Sequence, residues 1–370
     1  MLDFEGIGVR LLPPMSRRDG KSAKRESKIK KADGPVSLKK LAAHLGLSPT
    51  TLSLVLNDSP LASTIPQETK NRIFVAAREF NYRPNFIARS LRSARTFTLG
   101  VLAPEISSGY ASEVLGGIEE HLLKEGYFYF VVSHHHRQEL LKQYTQLLLE
   151  RCVEGLIAVD TPHLAHSLSP TVCVSGHDNA PGGANITLDH ERAAVLGLGH
   201  LIELGHRRIA AIKGQDFSSD TQVRWTAICE VAKRMEVPIT PELISQLEGD
   251  SPSPETGYLA TKRLLERREP FTALFTFNDI SAIGAIRALR EAGLGVPEDV
   301  SVIGFDDIPA AAYNYPALTT IKQPLREMGR LAAEHLLKRI SHGAQSELPE
   351  EVMVEPELIV RQSTAVARRQ

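Results

Sequence analysis

The stretch Ser48-Pro49-Thr50-Thr51-Leu52-Ser53-Leu54-Val55-Leu56-Asn57 decides how the front of this chain folds. Ser48 is a strong helix N-cap, and Pro49 has the φ that a first helical position needs. Leu52, Val55 and Leu56 recur at three and four residues, so the helix buries one narrow face. Upstream, Ser37 caps a matching run, Leu38, Leu41, Ala42 and Leu45, and Gly46 stops it. Leu47 falls in the turn. Two helices joined by a tight glycine turn form a helix-turn-helix pattern, although any αα-hairpin would read alike. A third helix is expected over residues 66–80, with Ile73, Phe74, Ala76 and Ala77 packing back on the first two. After Asn81-Tyr82-Arg83, Pro84 starts a segment running to Arg92 that is apolar on one side and basic on the other. At about two turns it needs a partner to fold against.

Charge divides the chain at the same place. The net charge is −1, yet residues 16–95 hold 17 Lys and Arg against 6 Asp and Glu, and residues 96–370 hold 25 against 36. A basic front suits a polyanion, and an acidic body does not. The basic tail around Arg17, Lys21 and Lys30 could merely aid solubility. The nine basic residues from Lys39 to Arg95, set among helices, are not explained that way.

From Thr98 the period changes. Apolar runs such as 99–102, 128–132, 155–159, 171–174, 208–212, 273–276 and 300–305 alternate with amphipathic helices, including 112–124, 221–235 and 279–291. Runs buried on both faces and separated by helices indicate parallel sheets. Two such series predict two doubly wound lobes, with a ligand held beyond the strand ends in the cleft between them.

Because 48–57 and Asn81-Tyr82-Arg83-Pro84-Asn85 resemble the lac-repressor/galactose-repressor family, the fold class expected is an all-α helix-turn-helix head plus an α/β periplasmic-binding-protein-like body, divided as that resemblance implies. Residues 1–35 read as a disordered basic extension, 36–83 as the DNA-binding domain and 84–95 as a hinge helix. Residues 96–362 read as the two-lobed body: lobe 1 over about 96–188 and 325–352, lobe 2 over about 189–323 and 353–362. Residues 363–370 read as a tail. Cys152, Cys173 and Cys229 make no CxxC pair and read as reduced, buried thiols. With no apolar signal core and no membrane-length stretch, a cytoplasmic, nucleoid-associated protein is expected. There is no P-loop, no GxSxG elbow, no cofactor motif and no metal-ligand spacing, so an enzyme is not expected. The run His134-His135-His136 follows the second strand and reads as solvated or effector-lining.

The run from Val36 to Arg95 resembles the head of the lac-repressor/galactose-repressor family, through 48–57, Asn81-Tyr82-Arg83-Pro84-Asn85 and Ala88-Arg89-Ser90-Leu91. The resemblance continues to about Gln362, through Gly116-Gly117-Ile118-Glu119, Phe277-Asn278-Asp279, Gly304-Phe305-Asp306-Asp307 and Leu318-Thr319-Thr320-Ile321-Lys322-Gln323-Pro324. It implies a repressor that binds double-stranded DNA as a homodimer on a pseudo-palindromic operator, under the control of a small, sugar-like effector. Activation instead of repression stays open. A periplasmic sugar-binding protein would share the clamp but have no DNA head.

By the resemblance, Pro49, Thr50 and Leu54 would read bases in the major groove, while Thr51, Ser53 and Asn57 would hold phosphates. Leu91 would wedge between base pairs in the minor groove, the alternative being a core leucine. Ser48, Tyr82, Asn85, Ala88, Arg89 and Arg92 complete the DNA set. Effector roles are implied for Tyr110, Asp178, Arg224, Asn278, Asp306 and Gln323; alone, Arg224 could instead pair with an acid and Asn278 could be a helix cap. Departures are plain. Leu54 stands where arginine is frequent, and the loop 58–65 is long. Ser108-Gly109-Tyr110-Ala111 replaces the family's Asn-Pro-Phe-Phe, and Ser175-Gly176-His177 replaces Val-Asp-Arg.

Overall fold

The computed structural model describes residues 36–57, 59–82, 90, 95–107, 109–161, 169–176, 184–237, 239–249, 252–342 and 349–368. Contacts divide the chain into two units, one ending at Thr96 and one beginning at Phe97.

The first unit is helical. Ser37 Oγ accepts from Lys40 N at 3.3 Å and opens α1, Leu38–Leu45, which Gly46 ends at φ 65°. Ser48 Oγ accepts from Thr51 N at 3.0 Å and opens α2, Pro49–Leu56. Helix α3 spans Gln67–Glu79. Leu41, Leu52 and Ile73 are fully buried where the three meet. The loop before α3 contains a 3-10 turn, Pro60–Thr64, that seats Ala62 in this core. Phe74 does not pack inward as its sequence position suggested. It is exposed, one residue and about 100° round the helix from Ile73.

The second unit has two α/β/α lobes. Lobe 1 is a six-stranded, all-parallel sheet in the order β11-β5-β4-β3-β1-β2. Its strands are β1 Thr98–Ala103, β2 Phe128–Ser133, β3 Leu156–Val159, β4 Thr171–Val174, β5 Ala184–Leu188 and β11 Glu351–Val354. Lobe 2 follows the order β12-β10-β9-β8-β6-β7, parallel except for β12 against β10. Its strands are β6 Ile209–Lys213, β7 Ile244–Gln246, β8 Ala273–Phe275, β9 Ser301–Asp306, β10 Thr319–Lys322 and β12 Glu357–Ile359. β1, β3 and β9 are buried along their whole length, as continuous apolar runs require when helices cover both faces.

Helices α4 (Gly109–Lys124) and α5 (Gln138–Glu150) flank lobe 1. Helices α6 (His190–Glu203), α7 (Ser219–Arg234), α8 (Pro254–Glu266) and α9 (Asp279–Glu291) flank lobe 2, and α10 (Pro309–Tyr313) follows β9. The chain then returns, so that α11 (Leu325–His342) packs Met328, Ala332 and Leu336 into lobe 1. At this α4–α11 crossing Gly117 and Gly329 each face the other helix's backbone, leaving no room for a Cβ. The chain passes between the lobes after β5, after β10 and between β11 and β12.

Two expectations need correction. Residues beyond 362 are not a loose tail, at least as far as Ala367. Ser363 is fully buried; its hydroxyl donates to Val302 O at 2.6 Å and accepts from Thr319 N at 2.8 Å. Ala365 O meets His206 Nε2 at 3.0 Å, and Ala367 N donates to Leu204 O at 2.8 Å. The segment supplies partners to strand-end groups of lobe 2, which its lack of apolar periodicity conceals. The cysteines are free, but Cys152 and Cys229 are exposed and Cys173 is half-buried. Cys152 lies in the turn after α5, Cys229 on α7 and Cys173 at a half-buried position of β4, and these positions decide exposure more than residue type does.

Candidate functional site

In the helical unit, α2 presents Ser48, Pro49, Thr50 and Asn57 to solvent. Thr51 and Leu54 are half-buried at its margin, and Tyr82 is half-buried against the core. Ser53 departs from its expected role. It is 8% exposed, and its carbonyl and hydroxyl accept from Asn57 Nδ2 at 2.7 and 3.2 Å. The remaining candidates, Asn85, Ala88, Arg89, Leu91 and Arg92, lie outside the described residues.

In the second unit a cavity of about 80 Å³ lies on the seam between the lobes. Tyr110, His136 and Asp160 line it from lobe 1; Phe217, Asp220, Arg224, Phe277, Asn278 and Asp306 line it from lobe 2. Strand ends converge here with unusual backbone. His135 and His136 after β2, Asp160 after β3, Ser175 after β4, and Asp306 and Asp307 at β9 all have positive φ, from 42° to 108°. Each such non-glycine residue costs about 1–3 kcal/mol, and strain of this kind collects at ligand sites.

Arg224 sits at the centre of the lobe 2 wall and is 3% exposed. Its Nη1 donates to Phe277 O at 2.7 Å and its Nη2 to Asp220 at 3.0 Å. The guanidinium lies 3.7 Å from the ring centre of Phe305 and 4.6 Å from that of Phe277. Nε is buried with no hydrogen-bond partner among the described residues. The acid it pairs with is thus a buried neighbour one helical turn away, not a surface group. His190 Nε2 stands 3.4 Å from the other oxygen of Asp220.

Asn278 fills both roles its sequence allowed. It caps α9 in a capping box with Ser281, accepting from Ser281 N at 2.9 Å, and it lines the cavity. Asp306 takes the amide of Gln323 on Oδ1 at 2.6 Å. Gln323 does not line the cavity; it holds Asp306 from behind, at the crossover between lobes. Tyr110, in the first turn of α4, donates to Ser175 Oγ at 2.9 Å. Asp178 lies outside the described residues.

Contacts cross the seam. Asp160 of lobe 1 accepts from Ser219 N at 3.1 Å, at the start of α7 in lobe 2. Ser219 Oγ lies between Asp160 Oδ1, at 2.7 Å, and the carbonyl oxygen of Ser175. A carboxylate at a helix N-terminus meets free N–H groups and the positive end of the helix dipole. His136 stacks on Phe217 with ring centres 3.7 Å apart. Gly109 approaches Ile308 so closely that a Cβ would lie 2.8 Å from its side chain. His134, by contrast, is buried against Thr161 at 3.0 Å, and burial holds its pKa down at about 4.

The acids repel one another. Burial raises Asp160 to about 7; Asp220 pushes it further, while Ser219 and Arg224 oppose the rise. Burial likewise raises Asp306 to about 7 against the pull of Arg224 and Gln323. Burial, then Asp220 and Asp160, lifts the Tyr110 phenol well above its usual value.

Asp160, Asp220 and Phe217 were not singled out from sequence, and Phe277 stood there only as part of the Phe277-Asn278-Asp279 motif. Asp160 carried a readable signal, an acid directly after a strand. Asp220 carried one too, an acid four residues before Arg224 on a helix.

Comparison with known proteins agrees with these two units. Residues 37–85 match bacterial regulatory proteins of the lacI family, and residues 198–364 match the periplasmic binding protein-like domain. The HTH-type transcriptional repressor PurR of Haemophilus influenzae is 34% identical over 337 residues, covering 88% of this chain and 98% of that protein. PurR of Aliivibrio fischeri is also 34% identical, over 336 residues, with the same coverage of both chains. The lac repressor dimer bound to operator and the anti-inducer ONPF is similar at a TM-score of 0.79 and 28% identity, covering 90% of this chain and 100% of that one. The CelR–cellobiose complex is similar at 0.65 and 25%, covering 89% and 99%. The chain therefore belongs to the lacI family of bacterial regulatory proteins.

Proposed function

We propose that this protein is a transcriptional repressor whose hold on DNA is set by a small effector bound between its lobes. The observation that carries the reading is the seam cavity. Both lobes furnish its walls, so whatever fills it must favour one lobe arrangement over another. On this reading the protein is a homodimer that places two copies of α2 on a two-fold symmetric operator. The relatives support this, one of them being a repressor dimer bound to operator. Pro49, Thr50 and Leu54 meet bases. Thr51 and Asn57 hold phosphates, with Ser48 and Tyr82 at the margin.

Residues 84–95 pass the signal. The effector changes lobe closure, the paired hinge segments form or melt, and Leu91 enters or leaves the minor groove. Such coupling is typically about 1–3 kcal/mol and acts equally in both directions. Tyr110, Arg224, Asn278 and Asp306 face the effector, with Gln323 behind Asp306. The carboxylate, amide and guanidinium groups on these walls suit the hydroxyls of a sugar or sugar derivative. A cytoplasmic location follows from the DNA target. No described helix is long and apolar enough to cross a membrane.

Selection from a random duplex pool at low salt tests the function. A two-fold symmetric consensus is expected, with weaker binding after Thr50→Ala. Recovery of no enriched sequence would overturn it.

A further inference from the structure

Taking the seam cavity as the effector site, its charge specifies the ligand more narrowly than its polarity does. The charged side chains on its wall are Glu105, Asp160, Asp220 and Asp306 against Arg224. Arg224 is already committed, with Asp220 on Nη2 and Phe277 O on Nη1. Asp306 is 6% exposed and uses Oδ1 for Gln323; among the described residues Oδ2 has no hydrogen-bond partner. A phosphate or carboxylate entering here would meet four carboxylates, with the buried Nε of Arg224 as the guanidinium nitrogen not already bonded.

The rest of the wall suits a cation. Tyr110, Phe217 and Phe277 are among its lining residues, although His136 already stacks on Phe217 and Arg224 lies over Phe277. Asp160 and Asp306 stand on opposite lobes, one after β3 and one at the end of β9. A positive group between them would be drawn to both at once.

We infer that the effector is a hydroxyl-bearing ammonium compound, such as an amino sugar, whose charge lies between Asp160 and Asp306. A ligand in this cavity is walled by both lobes at once. A cation drawn to Asp160 competes with Ser219, whose N–H and hydroxyl both donate to Oδ1.

Protonation gives this assignment its own signature. Free, Asp160 and Asp306 titrate at about 7, raised first by burial. A bound cation stabilises their ionised forms, so below about pH 7 binding draws protons off these carboxyls and tightens as pH rises, and near about 8, where an amine of this kind loses its own charge, it weakens again. The ionisable groups facing them are Asp220, Arg224, Tyr110 and Glu105, with the buried Asp279 of α9 coupled to Asp306. His190 reaches the pair through Asp220, His135 through Glu105, and His136 from the opposite wall.

The experiment is a set of melts of the full-length protein with matched hexoses at millimolar concentration: glucosamine, galactosamine and mannosamine, each against its neutral parent and its 6-phosphate. At least one ammonium sugar should raise the melting temperature and bind about tenfold or more tighter than its parent. Calorimetry in two buffers of different ionisation enthalpy should show proton release. Asp306→Asn should abolish the preference for the ammonium form over the parent. Stabilisation by a neutral or phosphorylated sugar at equal or lower concentration would overturn the charge assignment and leave the effector reading standing. Stabilisation by no member of the set would overturn the assignment as well. Failure to select any operator would instead remove the repressor reading.

Discussion

Arg224 is a structural keystone of lobe 2 as well as a cavity residue, and its removal has a calculable cost. In Arg224→Met, Asp220 keeps a charge at 4% exposure, with Asp160 and Asp306 close enough to raise one another's protonation. Breaking a buried ion pair by deleting one partner costs about 3–5 kcal/mol. Losing the stack on Phe305 at 3.7 Å adds up to about 2 kcal/mol. His190, 3.4 Å from Asp220, still faces the acid, and the local structure relaxes in part, so about 3–5 kcal/mol is the net expectation. At roughly 2–4 °C per kcal/mol for a unit of this size, the body should melt about 6–20 °C lower. The pair variant Arg224→Met/Asp220→Asn removes the orphaned charge with its partner. It should recover at least about 1.5 kcal/mol relative to the sum of the single variants. Melts of the four proteins at neutral pH supply the cycle. If Arg224→Met costs less than about 1 kcal/mol, or if the two changes simply add, the buried pair does not hold this wall together. Loss of effector response in an Arg224 variant is interpretable only once this cost is known.

The acids of the seam predict a pH trend of unusual sign for carboxylates. Asp160 and Asp306 titrate at about 7 in the folded protein against 3.8 ordinarily, so the native state holds protons that the unfolded chain gives up above about pH 4. Stability is therefore greatest below that range and falls as pH rises to about 7. The wild-type body should melt lower at about pH 8 than at about pH 6, and Asp306→Asn should flatten the slope; a wild-type melt that rises over the same interval would contradict the burial of these groups. Truncation after Gln362 should also weaken lobe 2. It leaves Thr319 N without Ser363 Oγ and Val302 N without Ser363 O, and each orphaned buried donor costs about 1–3 kcal/mol. An unchanged melting temperature would show that water replaces these partners.

Much of the fold was legible because its signals are local. Ser37, Gly46, Ser48 and Pro49 act within one turn of themselves, and each does in the structure what its chemistry dictates. Apolar runs such as Leu156–Val159 and Ser301–Asp306 are buried end to end, as the lack of alternation implied. What escaped were short pieces whose partners are distant in sequence. β7 has three residues, β11 and β12 have four and three, and Ser363 is fixed by Val302 and Thr319. No period can mark a strand of three residues. Nor can periodicity show that a polar segment lies over buried strand ends.

The site was legible as positions and illegible as relations. Tyr110, Arg224, Asn278 and Asp306 were identified one by one, and the structure does gather them on one wall or its opposite. Read singly, Arg224 looks like a positive clamp for an anion. Asp220, four residues upstream, weakens that reading, because it takes Nη2 of the guanidinium and adds a carboxylate to a wall that already holds Asp306. Asp160 then closes the argument from the other lobe. Its carboxylate caps α7 across the seam, so the group that would greet a cation is also the group that latches the lobes together. One carboxylate cannot do both at full strength, since the helix terminus and the ligand compete for the same oxygens. Closure and effector charge are thereby coupled through a single side chain, and that coupling is what a repressor with a tunable grip requires.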